Sequence, residues 1–565
     1  MTAGNHETHP LECSCASLTT TTTTTAHPPP PPPPSPPLIL FPPSYGTMND
    51  PESPHPRDSI DSHDNAPLLA LQDHHDDHDS HRTSADTSVF KPTLEHPQAR
   101  GYWIYLLTLS AGLSGLLFGY DTASIASALL YIPGSLSTPS QPITSFDLSV
   151  IASSTSLGAL LGGLSAGILA DHLGRKRVIL FADILFFVGA LLQSLAFTLP
   201  PLIVGRLIVG IAVGLSSLIV PLYISELAPP ATRGRLVVIS VLFITFGQLL
   251  AYLTGLLLAP PYLSPDLAWR AILGLGAAPA LLQTAAMASM PESPRWLLQH
   301  NRKAAARETI SRIYGTKQGN TIDSIITSIL AGIPPRSQLL GFRQNCAAMW
   351  HNAADRRALV VACALQFWQQ ACGFNCLMYF SATVFQALGF SQPVLVALVV
   401  AATNAAFTCV AIVLIDRVGR RPMLLASMGG MTLGLLLCAA SFTAMPPPPE
   451  LPLLPTSGVL GGIALFVASY ALGLGNVPWV AQSEMFSMRV RGVGTGASTG
   501  VNWATNLFVN LVFLELVVRA PGGVFAGFAA VVAVGGALAW WGYPETRGLR
   551  MEEVEEVMAM GWRVR

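Results

Sequence analysis

The sequence predicts an all-α membrane protein: twelve transmembrane helices in two six-helix bundles, joined by a cytoplasmic helical linker. Three observations lead there. Of 565 residues 51% are hydrophobic and only 11% charged, against roughly 25% charged in soluble domains. Apolar stretches long enough to cross a hydrocarbon core of roughly 30 Å, about 20 residues each, recur between Tyr102 and Tyr543. The third observation is that acid and base recur in the same order in both halves of the chain.

In chain order, residues 1–98 read as a disordered cytoplasmic tail. Thr19 to Thr25, Pro28 to Pro34 and the run DHHDDHDSH from Asp73 to His81 bury too little apolar surface to fold. Two readings of the Asp/His run stay open, a weak metal or pH-sensitive site and a solvated tail. No secretory leader is expected, since the first apolar run follows this tail and the first membrane helix serves for insertion. Membrane spans are expected to start near residues 103, 148, 178, 200, 236, 269, 357, 393, 422, 456, 492 and 522. The division that follows is a first bundle over 99–290, linker helices over 291–356, a second bundle over 357–543 and a cytoplasmic tail over 544–565. Amphipathic helices are expected between Ala304 and Ala331, and one more in MEEVEEVMAMG.

Loop charge orients the chain. Arg175, Lys176 and Arg177 follow span two, Arg233 and Arg235 span four, Arg417, Arg420 and Arg421 span eight, and Arg489 and Arg491 span ten. On the other side, PGSLSTPSQPITSFD, AFTLPP and AMPPPPELPLLP carry no Lys or Arg, so both termini are expected to be cytoplasmic. From Pro291 to Arg357, ten Lys/Arg against four Asp/Glu agree with that assignment. Net charge is −1 and gives no reason to expect a nucleic-acid partner. The eight cysteines are scattered, without the spacing of a metal site or a disulfide framework. No cofactor and no obligate protein partner are expected.

The halves repeat. Asp171 in DHLGRK recurs as Asp416 in DRVGRR, 245 residues on, and Glu226 with Arg233 recurs as Glu484 with Arg491, 258 on. Glu292 in PESPR recurs as Glu545 in PETRG after 253. Parallel six-helix repeats suggest two bundles around a midplane site and alternating access. Asp171, Arg175, Glu226, Arg233, Glu292 and their counterparts Asp416, Arg420, Glu484, Arg491 and Glu545 suggest ion pairs of an inner gate; the alternative is that they only set topology.

Two charges lie inside apolar spans, Asp121 in LLFGYDTASIAS and Arg206 in PPLIVGRLIVGIAVG. An ionisable group at such depth is a candidate functional site with a partner to find, and each is the other's candidate. Neutral amides also sit in apolar spans: Gln248, Gln369, Gln370, Asn375, Asn404 and Asn502. Amides suit a ligand with many hydroxyls, because each offers donors and an acceptor without the desolvation cost of a charge. Trp479 and Trp503 can give an apolar wall. The competing readings are a structural ion pair and interhelical glue.

ADHLGRKR, PLYISELAP followed by RGR, PESPRWL, QQACGFN, DRVGRR and PETRG resemble the motifs of the sugar porter family of the major facilitator superfamily, from Gln98 to the C-terminus. Within it SLIVPLYISELAP, LMYFSATVF, GNVPW and the following NWATN are most similar to fungal myo-inositol/proton symporters. The resemblance implies the major facilitator fold, a small polyol or sugar and protons as cargo, and no enzymatic activity. It implies import of myo-inositol across the plasma membrane, with a hexose or other polyol carrier, or a nutrient sensor, as alternatives. It makes Asp121 and Arg206 the proton site, where passive glucose carriers resemble FGYN. The amides match sugar-binding positions, with Tyr379 gating, and Gln370 and Asn375, five apart, reach one cavity if the seventh helix breaks near Gly373. GNVPW departs from the commoner Gly-Pro pattern and puts Asn476 at a proline position, for a hydroxyl contact or for freed backbone; the likeness to inositol carriers favours the first and makes Asn476 a substrate-binding residue. A second departure is His172, where ADR is commoner.

Overall fold

The computed structural model describes residues 102–138, 142–228, 233–315, 318–331, 342–387, 389–446, 452–487, 489–547, 549 and 551–562. The tail expected over 1–98 lies outside the described residues. The first half forms α1 (Tyr102–Ala128), α2 (Ile132–Leu136), α3 (Ser145–Leu173), α4 (Arg175–Ser194), α5 (Leu199–Leu227), α6 (Arg233–Leu257), α7 (Pro265–Gly274) and α8 (Ala277–Ala288). Short helices follow: α9 (Pro294–Gln299), α10 (Lys303–Tyr314), α11 (Gly319–Ala331) and α12 (Phe342–His351). The second half forms α13 (Ala353–Ala371), α14 (Phe374–Ala387), α15 (Pro393–Val418), α16 (Arg420–Thr443), α17 (Leu453–Leu472), α18 (Val477–Met485), α19 (Arg491–Arg519) and α20 (Pro521–Gly542), and α21 (Met551–Met560) comes last.

Among the described residues eleven stretches are long and apolar enough to cross a membrane. The twelfth span is α13 with α14. Its apolar run is interrupted at Cys372–Gly373, and α13 opens with Asp355, Arg356 and Arg357, so neither piece reads as a span alone. Span six is likewise α7 with α8, and span ten is α17 with α18. The twelve spans open at residues 102, 145, 175, 199, 233, 265, 353, 393, 420, 453, 491 and 521, each within four residues of expectation. Linker helices and the helix of MEEVEEVMAMG also form where the sequence puts them.

Two helix breaks shape the interior. Gly373 has φ +83°, and a β-carbon there would lie 2.5 Å from the Phe528 ring. Only glycine fits that turn, so α13 ends and α14 restarts on a new axis. The second break, Gly473 to Asn476, precedes Pro478, which lacks the N–H a continuous helix needs. The bundles meet along α3 on α19, α6 on α15 and α1 on α14.

The sequence repeat is a structural one at the charged ends of the helices. Gly174, at φ +95°, turns α3 into α4, and the Glu292 carboxylate accepts the backbone N–H of Arg175 at 2.9 Å and of Lys176 at 3.2 Å. Gly419, at φ +106°, does the same between α15 and α16, where Glu545 accepts from Arg420 N and Arg421 N, both at 3.0 Å. A carboxylate on a helix N-terminus meets unsatisfied donors and the positive end of the helix dipole. A β-carbon at Gly174 would run into Glu292, and one at Gly419 would lie 2.6 Å from Glu545 Oε2.

Gly174→Ala and Gly419→Ala therefore each cost about 1–3 kcal/mol of stability. Gly429→Ala, inside α16 with open space around it, does not lower the melting midpoint of detergent-solubilised protein, while the other two do.

Candidate functional site

Asp121 on α1 and Arg206 on α5 meet in the first bundle. Arg206 Nη1 donates to Asp121 Oδ1 at 2.6 Å, with Arg206 fully buried and Asp121 8% exposed. The pair is incompletely satisfied: Asp121 Oδ2 and Arg206 Nε and Nη2 have no hydrogen-bond partner among the described residues. A buried ion pair with unmatched donors and acceptors is costly and easily redistributed, which suits a group that changes charge. Tyr379, on α14 of the other bundle, is buried, and α14 packs against the α1 helix that carries Asp121.

Amides of α13, α14 and α19 form one network. Gln370 Nε2 donates to Asn502 Oδ1 at 2.9 Å, and Asn375 Nδ2 donates to Gln370 Oε1 at 2.5 Å across the Gly373 break. Asn502 Nδ2 donates in turn to Gln366 at 2.6 Å and Gln369 at 2.7 Å. Gln369 Nε2 reaches Gly475 O at 2.9 Å, at the break between α17 and α18, and Gln366 Nε2 reaches Gln482 on α18 at 2.9 Å. Gln248 and Asn404 pair with each other instead: Asn404 Nδ2 donates to Gln248 Oε1 at 2.9 Å, joining α15 to α6. Asn476 Nδ2 donates to Ala471 O at 2.6 Å, a carbonyl left over because Gly475 N–H bonds Tyr470 O. Of the two readings of Asn476, that bond serves the freed backbone. Trp503 is buried 5.6 Å from the Phe118 ring of α1, and Trp479 is half-buried on α18.

Each described ion pair at the charged ends lies within one bundle. Arg175 meets both Glu226 oxygens, Nη2 donating to Oε1 at 3.0 Å and Nε 3.0 Å from Oε2, and lies 3.4 Å from Asp171. Arg420 Nη2 donates to Glu484 Oε1 at 3.3 Å, and Arg491 Nη2 to Phe486 O at 3.4 Å. These contacts bind neighbouring helix ends of the same half. The side chains of Arg233 and Asp416 lie outside the described residues. His172 is exposed at the end of α3.

Comparison with known proteins places this geometry. The family model described as Sugar (and other) transporter matches residues 107–558. The chain belongs to the sugar transporter family. Myo-inositol transporter 1 of Cryptococcus neoformans is 40% identical over 487 residues, 82% of each chain. Myo-inositol transporter 2 of Schizosaccharomyces pombe is 40% identical over 469 residues, 81% of this chain and 82% of that one. Among solved structures, the proton:xylose symporter XylE bound to 6-bromo-6-deoxy-D-glucose superposes with a TM-score of 0.70 at 28% identity, covering 81% of this chain and 99% of that one. This sugar transporter is thus a multi-pass integral membrane protein of the major facilitator fold.

Several polar groups of this sugar transporter escape the sequence reading. Gln366, Gln482, Ser498, Asn506 and Asn510 all belong to the network. A signal existed for some: Asn502, Asn506 and Asn510 are spaced by four and Gln366 and Gln370 by four, each a polar stripe on one helix face. The hydroxyls of Ser293 and Thr546 also repeat, donating to Glu226 at 2.5 Å and Glu484 at 3.2 Å. Asp183 in FADILFF is fully buried on α4 with neither carboxylate oxygen bonded among the described residues. Its apolar setting carries the signal that singled out Asp121.

Asn502→Ala strands three amides at once, at about 1–3 kcal/mol for each buried group left unsatisfied. It lowers the melting midpoint of detergent-solubilised protein more than Asn404→Ala, which strands one.

Proposed function

We propose that this sugar transporter is a proton-coupled symporter that imports myo-inositol by alternating access, in the plasma membrane with both termini cytoplasmic. The observation that carries the reading is the buried Asp121–Arg206 pair with a carboxylate oxygen left free. Support for the cargo comes from the myo-inositol transporters of two fungi at 40% identity. Support for the proton comes from the likeness to a proton:xylose symporter.

Asp121 takes the proton on Oδ2. Neutralising that carboxylate loosens its hold on Arg206 Nη1, and the change reaches the opposite bundle through the packing of α1 against α14. If the protonated form favours the conformation that holds substrate, coupling follows by linkage. One proton falling through 100 mV and one pH unit releases about 3.7 kcal/mol, enough to sustain a substrate gradient of several hundredfold. Gln248, Gln369, Gln370, Asn375, Asn404 and Asn502 bind the ring hydroxyls, Trp479 and Trp503 its C–H faces, Asn476 orders the tenth-helix break, and Tyr379 gates. Bundles over 99–290 and 357–543 rock about this site. The charged ends staple each bundle at the cytoplasmic side, the linker over 291–356 latches the halves, and the segments over 1–98 and 544–565 are cytoplasmic.

The test is uptake of labelled myo-inositol by transporter-deficient cells expressing the chain, with and without a proton gradient. Wild type accumulates inositol only with the gradient; Asp121→Asn merely equilibrates it or stops. Arg206→Lys also abolishes accumulation, because an ammonium does not reproduce the guanidinium geometry. Asp183→Asn, at an acid that faces no cation, keeps the gradient dependence. Gradient-independent uptake unchanged in Asp121→Asn overturns the symport reading. Stronger competition by glucose or xylose than by unlabelled inositol overturns the choice of cargo.

A further inference from the structure

The three asparagines of α19 link the amide network to the opposite bundle. Asn506 Nδ2 donates to Gln370 Oε1 at 2.8 Å. Asn506 Oδ1 accepts from Asn510 Nδ2 at 2.8 Å and from Ser156 Oγ, on α3 of the first bundle, at 2.5 Å. All four side chains are buried. Because two donors converge on Asn506 Oδ1, its amide can only turn its NH2 to Gln370. Gln370 must then turn its oxygen toward Asn506 and Asn375, and its NH2 toward Asn502. Ser156 Oγ, which also accepts from Asn510 Nδ2 at 3.5 Å, and Asn510 together hold this sense in the amides down to Asn502, and hydrogen bonds aligned in one sense reinforce each other.

The geometry points to Asn506 as a positioning residue for substrate, acting through Gln370, with Ser156 as the contact by which the opposite bundle controls it. This rests on the reading of Gln370 as a substrate amide. Where α3 stays against α19, Gln370 is held in one orientation. Where the seam parts, Ser156 withdraws, Asn506 Oδ1 keeps Asn510 as its one donor, and Gln370 is held less firmly in that orientation at the site. Affinity then depends on which way the carrier faces. A carrier population with only a fraction of its sites correctly polarised binds as if its affinity were reduced by that fraction.

Ser156→Ala, a small change at a fully buried position, is accordingly expected to raise the KM for myo-inositol about three- to tenfold, the worth of one anchoring hydrogen bond. The maximal rate per transporter in the membrane stays at the wild-type value. Loosened helix packing alone would instead lower surface abundance and maximal rate. Asn506→Ala raises KM at least as far, and the double variant rises no further, since both act through one amide. If Asn506→Ala fails to reach the membrane, Asn510→Ala, which removes the other donor to the same oxygen, replaces it in the cycle. Wild-type KM in Ser156→Ala, or effects that multiply independently in the double variant, overturn the relay. Wild type that carries another polyol or a hexose is assayed for the same KM pattern with that cargo. Wild type that carries none of them overturns the reading of Gln370 on which the relay rests.

Discussion

Inside a hydrocarbon layer no water is present to complete a hydrogen bond, so a polar group at that depth is costly unless it finds a partner within the protein. That constraint decides where the helices can break. The α13–α14 break is tolerable because Asn375 bonds Gln370 across it, and the α17–α18 break because Asn476 and Gln369 engage Ala471 O and Gly475 O. Irregular backbone and amide side chains are thus one feature: the side chains complete the backbone, and the breaks turn the side chains to a common interior.

The same constraint gives the Asp121–Arg206 pair its character. Arg175 and Glu226 make a firmer staple: Glu226 accepts from Arg175 Nη2 and from Ser293, and its second oxygen lies 3.0 Å from Arg175 Nε. Asp121 and Arg206 share one bond and keep three unmatched atoms. Two carboxylate–guanidinium pairs therefore suit different work, and the difference lies in their neighbours.

Spans were legible because apolar length is written directly in composition, and the α13–α14 break because a glycine separates two amides that a smooth helix would hold apart. The twofold repeat of acid and base was legible as spacing. What stayed hidden was direction. The repeated charges read as an inner gate that closes between bundles in one state and parts in the other; the described pairs of Arg175 and Arg420 also join helix ends within a bundle, a contact that spacing along a chain does not reveal. Asn506 and Asn510 stood in plain view as a stripe on α19, but their meaning depends on Ser156, 350 residues away. Asp183 was overlooked because no second charge drew attention to it.

Each half holds its own complete staple: a left-handed glycine, an arginine, a glutamate across the bundle, and a second glutamate with an adjacent hydroxyl. Among the described ion pairs of these two sets, each joins residues of its own half. During synthesis the first six spans can therefore finish their polar end once Glu292 and Ser293 have left the ribosome, before any of the second six exist. The interval in which charged helix ends wait unpaired beside lipid, where membrane chains are most exposed to misassembly and degradation, is cut to one half of the chain at a time.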